Sequence, residues 1–134
     1  METKETHFAP HLAIKVLRPA IAFYEKAFNA RTLHTWNNPD GSVHVAEMSL
    51  NDRLFHLHEE TTRNVQLSPE TVRATTVVIG VFTPAPDELF NQAIAAGATV
   101  ESPMQDYDYG YRQGTVVDPF GHQWLIQKKL TINN

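Results

Sequence analysis

The 134-residue chain contains no cysteine. That excludes a disulfide framework, a thiolate zinc site and a cysteine nucleophile. Glycine is sparse, at six residues, and none forms a phosphate-cradling run; Gly114 and Gly121 read as turn residues. No block of like charges occurs, and the formal net charge is −4. A protein that binds nucleic acid or a membrane surface without specificity needs a basic patch, which this balance does not provide. No apolar stretch approaches the ~20 residues of a membrane span. Met1 to Thr6 lacks the apolar centre of a secretory signal. The expectation is a cytoplasmic protein with neither a nucleic-acid nor a membrane partner. Paired carboxylates and a Ser/His/Asp order are also missing.

What is present is an ordinary globular balance, 42% hydrophobic and 19% charged, in a length that suits one domain with a real core. His11 to Val16 alternates, with Leu12, Ile14 and Val16 on one face and His11, Ala13 and Lys15 on the other. Pro19 suits the start of a helix. Ile21, Phe23, Tyr24, Ala27 and Phe28 recur at helical spacing, and Asn29 is a suitable left-handed stop. Strands follow at 31–36, 43–50 and 53–58, separated by the turns Asn37 to Gly41 and Asn51-Asp52. The order is βαβββ.

The order then repeats. Residues 75–82 are rich in β-branched side chains, and Pro86 opens a helix that Gly97 ends. Its Leu89, Phe90, Ala93 and Ile94 echo Phe23, Tyr24, Ala27 and Phe28. Strands are predicted at 99–101, 112–118 and 122–128, with Asp118-Pro119-Phe120-Gly121 as the last turn. Two copies make a duplication and not a solenoid. The predicted fold is α+β, one domain of two βαβββ modules (8–60 and 74–128) joined by a polar linker (59–73).

Each helix must bury its apolar stripe on one face of its sheet. Leu12, Ile14, Val16, Ala46, Met48, Leu50, Phe55, Leu57, Trp124 and Ile126 are expected on that face, and Trp36 is also expected in the core. The opposite face takes His11, Ala13, Glu47, Ser49, His56, His58, Thr115, Val117, Gln123 and Leu125. A face that polar is either solvated or lines a pocket. His122 is expected to stabilise its turn, and His34 and His44 to lie on the surface or as satisfied core residues.

Pro10-His11-Leu12-Ala13-Ile14 with Ala20-Ile21-Ala22-Phe23-Tyr24-Glu25-Lys26-Ala27-Phe28 resembles the first strand and helix of the glyoxalase / bleomycin-resistance / dioxygenase (vicinal oxygen chelate) superfamily. Gly110-Tyr111-Arg112-Gln113-Gly114 with Asp118-Pro119-Phe120-Gly121-His122-Gln123-Trp124 resembles its PhnB-like (3-demethylubiquinone-methyltransferase-like) branch. The resemblance spans about Phe8 to Lys128. It implies a curved mixed-sheet cup between the modules, a homodimer, and in active members a divalent metal held by the first and last strands of each module. The corresponding positions here are Ala9, His56, Val78 and Leu125. Only His56 can ligate, so no metal is expected at the usual site.

Two functional readings follow. In the first, the protein binds an apolar or anionic small molecule in the cup through His11, Glu47, His56, Tyr109 and Arg112. The rings of Tyr107, Tyr109 and Tyr111 would close as a lid while Arg112 meets an anionic group. In the second, it is a lyase, isomerase or oxidoreductase. That enzyme would use a displaced metal at His11, Glu47 and His56, with His58 nearby, or metal-independent acid–base chemistry by His56 and Glu47.

Overall fold

The computed structural model describes residues 5–61, 63 and 65–131. β1 (His11–Ile14), α1 (Leu17–Phe28), β2 (Arg31–Asn37), β3 (Val43–Leu50) and β4 (Arg53–Glu59) form the first module. After α2 (Pro69–Val72) come β5 (Val78–Phe82), α3 (Pro86–Ala96), β6 (Thr99–Tyr107), β7 (Tyr111–Val117) and β8 (Gln123–Lys129). Each module makes its own open four-stranded sheet, ordered β1-β4-β3-β2 and β5-β8-β7-β6. In both, the first and last strands pair in parallel and the other pairs are antiparallel. The duplicated α+β architecture read from the sequence is therefore the architecture observed.

The helices place their apolar stripes in one core shared by both modules. Leu17, Ala20, Phe23, Tyr24, Ala27 and Phe28 of α1 are all buried, the spacing of a single helix face. The Tyr24 ring meets Phe55 of the first sheet edge-on at 5.7 Å and Trp124 of the second at 5.4 Å. Phe28 lies 4.7 Å from Trp124. Asn29, at φ 58°, closes α1, and its helix end is capped from the other module. There, Gln92 Nε2 donates to Lys26 O at 2.9 Å and to Asn29 Oδ1 at 3.1 Å. Such a contact satisfies carbonyls that the helix itself leaves open.

Several local expectations need correction. Val16 is 62% exposed, because β1 ends at Ile14 and Val16 instead precedes α1 as its N-cap residue. The helix begins at Leu17, ahead of Pro19. β6 is nine residues long and not three. Pro103 does not stop it because β6 is the edge of its sheet and its ladder slips between Ser102 and Gln105; a residue without an N–H is tolerated at such a place. Gly114 lies inside β7 and not in a turn. A Cβ there would sit 2.7 Å from the Phe90 ring, so the glycine lets α3 approach the sheet.

The linker is more structured than its composition suggests. Ser68 is fully buried and caps α2, with its Oγ accepting from Thr71 N at 3.3 Å. Glu60 accepts from Ser68 N at 2.9 Å and from Ser68 Oγ at 3.1 Å, and hydrogen bonding by the Thr71 side chain, followed by the Ser68 backbone, holds its carboxyl below the usual range. Gly121, at φ +92°, fits beneath Pro69, where a Cβ would meet the proline ring at 2.6 Å.

Asp118 ties the modules together. It is 3% exposed. Its Oδ2 accepts from Tyr24 Oη at 2.5 Å and from Trp124 Nε1 at 2.9 Å, while Oδ1 accepts from the N–H groups of Phe120 and His122. Four donors are what a carboxylate needs to leave water. Burial, then the neighbouring Asp118 charge, raises the Tyr24 pKa well above its ordinary value, so the phenol keeps the proton it donates.

Candidate functional site

Strand alternation decides which side chains meet on the face away from the helices. Leu12 and Ile14 of β1, Phe55 and Leu57 of β4, and Ala46 and Met48 of β3 are buried in the core. Their neighbours must therefore point the other way. In the β1–β4–β3 register His11 is opposite His56 and His56 is opposite Glu47, while Ala13 and Val45 flank His58. Three imidazoles and one carboxylate are thereby gathered on one sheet face.

His56 Nε2 lies 3.2 Å from Glu47 Oε2. With Glu47 ionised the imidazole donates from Nε2, and in the neutral ring Nδ1 then carries a free lone pair. That Nδ1 is buried and has no hydrogen-bond partner. The His11 ring lies 4.5 Å from the His56 ring and 5.2 Å from that of His58. His11 Nδ1 faces His58 Nε2 at 3.3 Å. Burial, followed by the charge of His56, pushes the His11 pKa down. Burial, followed by His11, His56 and His44, does the same to His58. His11 and His58 are therefore neutral at neutral pH.

The side chains of Ala9, Val78 and Leu125 carry no donor atom, and that of His56 does. His11, Glu47 and His56 do not converge on a common point. Glu47 is engaged by His56 Nε2, and His11 turns its Nδ1 to His58. Among the described residues no group of three or more His, Asp or Glu is arranged to hold a metal ion.

Arg112 is not on this face. Gly114 of the same strand touches Phe90 of α3, and Arg112, two residues earlier, points to the same side. Its Nε and Nη2 bind Asp87 Oδ1 and Oδ2 at 2.7 and 2.8 Å, and Nη1 binds Asp106 Oδ1 at 2.9 Å. The bidentate bond to Asp87 holds that carboxyl below its usual range and raises the guanidinium pKa. The expected anion anchor is thus spent on two aspartates.

Tyr109 sits in the turn between β6 and β7, 61% exposed. Its ring stacks on Tyr107 at 5.2 Å, and its hydroxyl bonds Gln113. Gln113 Nε2 in turn donates to Gln127 Oε1 at 2.7 Å. Thr115 and Leu125 stand opposite one another on the same face, and Val78 is opposite Gln123. Phe82, 66% exposed, pairs with Gln127 in the register. Tyr107 ends β6, Tyr111 begins β7 and Tyr109 lies in the turn between them, so the three rings belong to a hairpin continuous with the second sheet.

Of the remaining aromatic and imidazole side chains, Trp36 departs from expectation. Trp36 is 46% exposed, on the edge strand β2, with its ring 4.3 Å from His34. His122 does bond within its turn, and its Nε2 also lies 3.0 Å from Ala13 O of β1. It thereby links the start of β8 to the first module. His44 Nδ1 is 3.2 Å from Glu59. Between β1, β5 and α2 lies a cavity of about 470 Å³, lined by His11, Ala13, Leu67, Thr76, Ile79 and His122 among others.

The profile of the Glyoxalase/Bleomycin resistance protein/Dioxygenase superfamily matches residues 6–126. The chain belongs to that family. An uncharacterized protein of Mycobacterium bovis is 34% identical over 125 residues, covering 91% of this chain and 82% of its own. TioX from Micromonospora sp. ML1 superposes with a TM-score of 0.70 at 23% identity, covering 96% of this chain and 100% of TioX. A putative 3-demethylubiquinone-9 3-methyltransferase, PhnB protein, from Bacillus cereus gives 0.65 at 19% identity, covering 94% and 100%. These likenesses in structure bear on the fold alone. No helix among the described residues is long and apolar enough to cross a membrane.

Proposed function

We propose that the protein is a small-molecule-binding member of the family, of its PhnB-like kind, with a degenerate metal site. It holds its ligand against the His11–Glu47–His56 face of the first module. The observation that carries this reading is the buried, partnerless Nδ1 of His56. A buried polar atom without a partner costs about 1–3 kcal/mol, which a ligand donor placed there would recover. The adjoining cavity, which His11 also lines, offers room for an apolar body. With Arg112 engaged and His11 and His58 neutral, the ligand class narrows from apolar or anionic to an apolar molecule bearing a hydrogen-bond donor. The donor-free side chains of Ala9, Val78 and Leu125 support the loss of the family's metal chemistry.

A homodimer fits the same reading. Val78, Phe82 and Tyr109 are exposed on the second module, more apolar surface than a monomer needs there. The test is a thermal-shift screen with apolar, donor-bearing compounds. A stabilising compound should lose its effect in His56→Ala, by mass action on the native state. A stabilisation that survives in His56→Ala would remove the assignment.

A second reading has its own observation. The Glu47–His56 hydrogen bond is the arrangement that orients an imidazole base, with Nδ1 as the proton acceptor. Nitrogen NMR of the imidazole should show the Nε2–H tautomer of His56, lost in Glu47→Ala. A tautomer indifferent to Glu47 would end the acid–base reading while leaving the binding reading intact.

A further inference from the structure

The first sheet carries one large aromatic ring on its ligand face that the binding reading leaves idle. Trp36 belongs to β2, the edge strand beyond β3, and is 46% exposed. Thr32 of the same strand faces the helices: its Oγ1 donates to Glu25 of α1 at 3.1 Å, and it pairs with the buried Met48. Simple alternation would send His34 and Trp36 to that side as well. They go to the other, because the β2–β3 ladder slips by one residue between Thr32 and His34. Beyond the slip His34 pairs with Glu47 and Trp36 with Val45. A bulge of this kind turns every later side chain to the opposite face.

Two rows of side chains then cross the sheet. His34, Glu47, His56 and His11 make one, and Trp36, Val45, His58 and Ala13 make the next. The His34 ring stands 4.3 Å from the Trp36 ring at 71°, an edge-to-face contact that braces the indole. We propose that Trp36 is the specificity residue of the ligand site, selecting a flat fused-ring aromatic molecule that carries an O–H or N–H donor. The inference rests on the binding reading, from which it takes the acceptor, the partnerless Nδ1 of His56. From His56 to Trp36 the path crosses two strand spacings of ~4.8 Å and two residues of ~3.3 Å, about 12 Å between backbones. Both side chains reach into that span, and Val45 lies between them with a short apolar side chain as the floor. Trp124, 2% exposed in the core, has no access to the face. An aromatic pair adds about three- to tenfold in affinity beyond simple area burial. The site should therefore tell an aromatic ring from a saturated one of similar bulk.

The experiment is calorimetric titration of the parent protein with 2-naphthol, which is flat and carries one O–H donor, and with decahydro-2-naphthol, its saturated counterpart. Trp36→Leu, Trp36→Phe and His56→Ala are titrated alongside, and circular dichroism checks that each variant folds. The parent is expected to bind 2-naphthol about three- to tenfold more tightly than the saturated alcohol. That preference should vanish in Trp36→Leu and return in Trp36→Phe, while His56→Ala should weaken both alcohols together. On binding of 2-naphthol the indole N–H resonance of Trp36 should move and that of Trp124 should stay. Equal affinity for the two alcohols in the parent overturns the proposal. So does a preference that survives in Trp36→Leu, or a titration in which neither alcohol binds. Equal affinities that are both lost in His56→Ala would end the aromatic selection and leave the binding reading standing.

Discussion

The two modules share a core and differ on the face that could do chemistry. Tyr24 and Phe90 hold corresponding buried places on α1 and α3, as do Ala27 and Ala93. The faces away from the helices have no such correspondence. The first carries His11, His56, His58 and Glu47, linked through one another. The second carries Val78, Leu125, Thr115 and an amide pair, Gln113–Gln127, beside stacked tyrosines. Packing fixed what the duplicated helices could become, because a shared core tolerates few changes of volume. The outward faces were free to diverge, and of the two the first carries imidazoles beside a carboxylate.

That contrast can be broken most forcefully where the modules are joined. Asp118→Ala would strand the donors of Tyr24, Trp124, Phe120 and His122. A buried donor left unsatisfied costs about 1–3 kcal/mol, and with four stranded at once the loss should reach at least the upper end of that range, read as a lower denaturation midpoint in urea. Two separate unfolding transitions in the parent protein would show that the modules do not fold as one unit. Gly114→Ala comes next, since its Cβ collides with Phe90; overpacking of this kind costs about 1–3 kcal/mol. A neutral result would mean that α3 can move away from the sheet.

The pH response should separate the two faces. His11 and His58 have lowered folded pKa values, whereas the unfolded chain takes up those protons near the usual ~6.5. Below that value the unfolded state binds more protons, so stability should be full above about pH 6.5 and fall as the medium is acidified. The melting temperature of His58→Gln should decline less steeply over the same range; an equal decline would place the titration elsewhere. Smallest of all, Phe82→Ser and Tyr109→Ser should each alter monomer stability by no more than about 0.5 kcal/mol. A marked fall in oligomer mass in either variant, measured by light scattering, would assign the second face to dimer contact.

Much of this was legible in the sequence. Alternation put Leu12, Ile14, Met48, Leu57, Trp124 and Ile126 in the core, and all are buried. The same alternation brought His11, Glu47 and His56 together, because register follows once one face is known. Arg112 was misread because its partners, Asp87 on α3 and Asp106 on β6, are set by tertiary contact and not by spacing. Trp36 was misread because hydrophobicity alone does not reveal that β2 is an edge strand. Asp118 read as a turn residue, and its bond to Tyr24 spans 94 positions, a contact no local pattern encodes. The Asp-Pro-Phe-Gly turn followed by Trp124 was the available signal, since a buried indole N–H needs an acceptor.

The most direct test of the account is a histidine side-chain NMR titration with the most stabilising apolar, donor-bearing compound from the screen. The resonances of His11 and His56 are expected to move together with ligand occupancy while that of His44 stays fixed. Shifts confined to the tyrosines of the second module, with His56 unmoved at saturation, would contradict the claim that the first module holds the ligand.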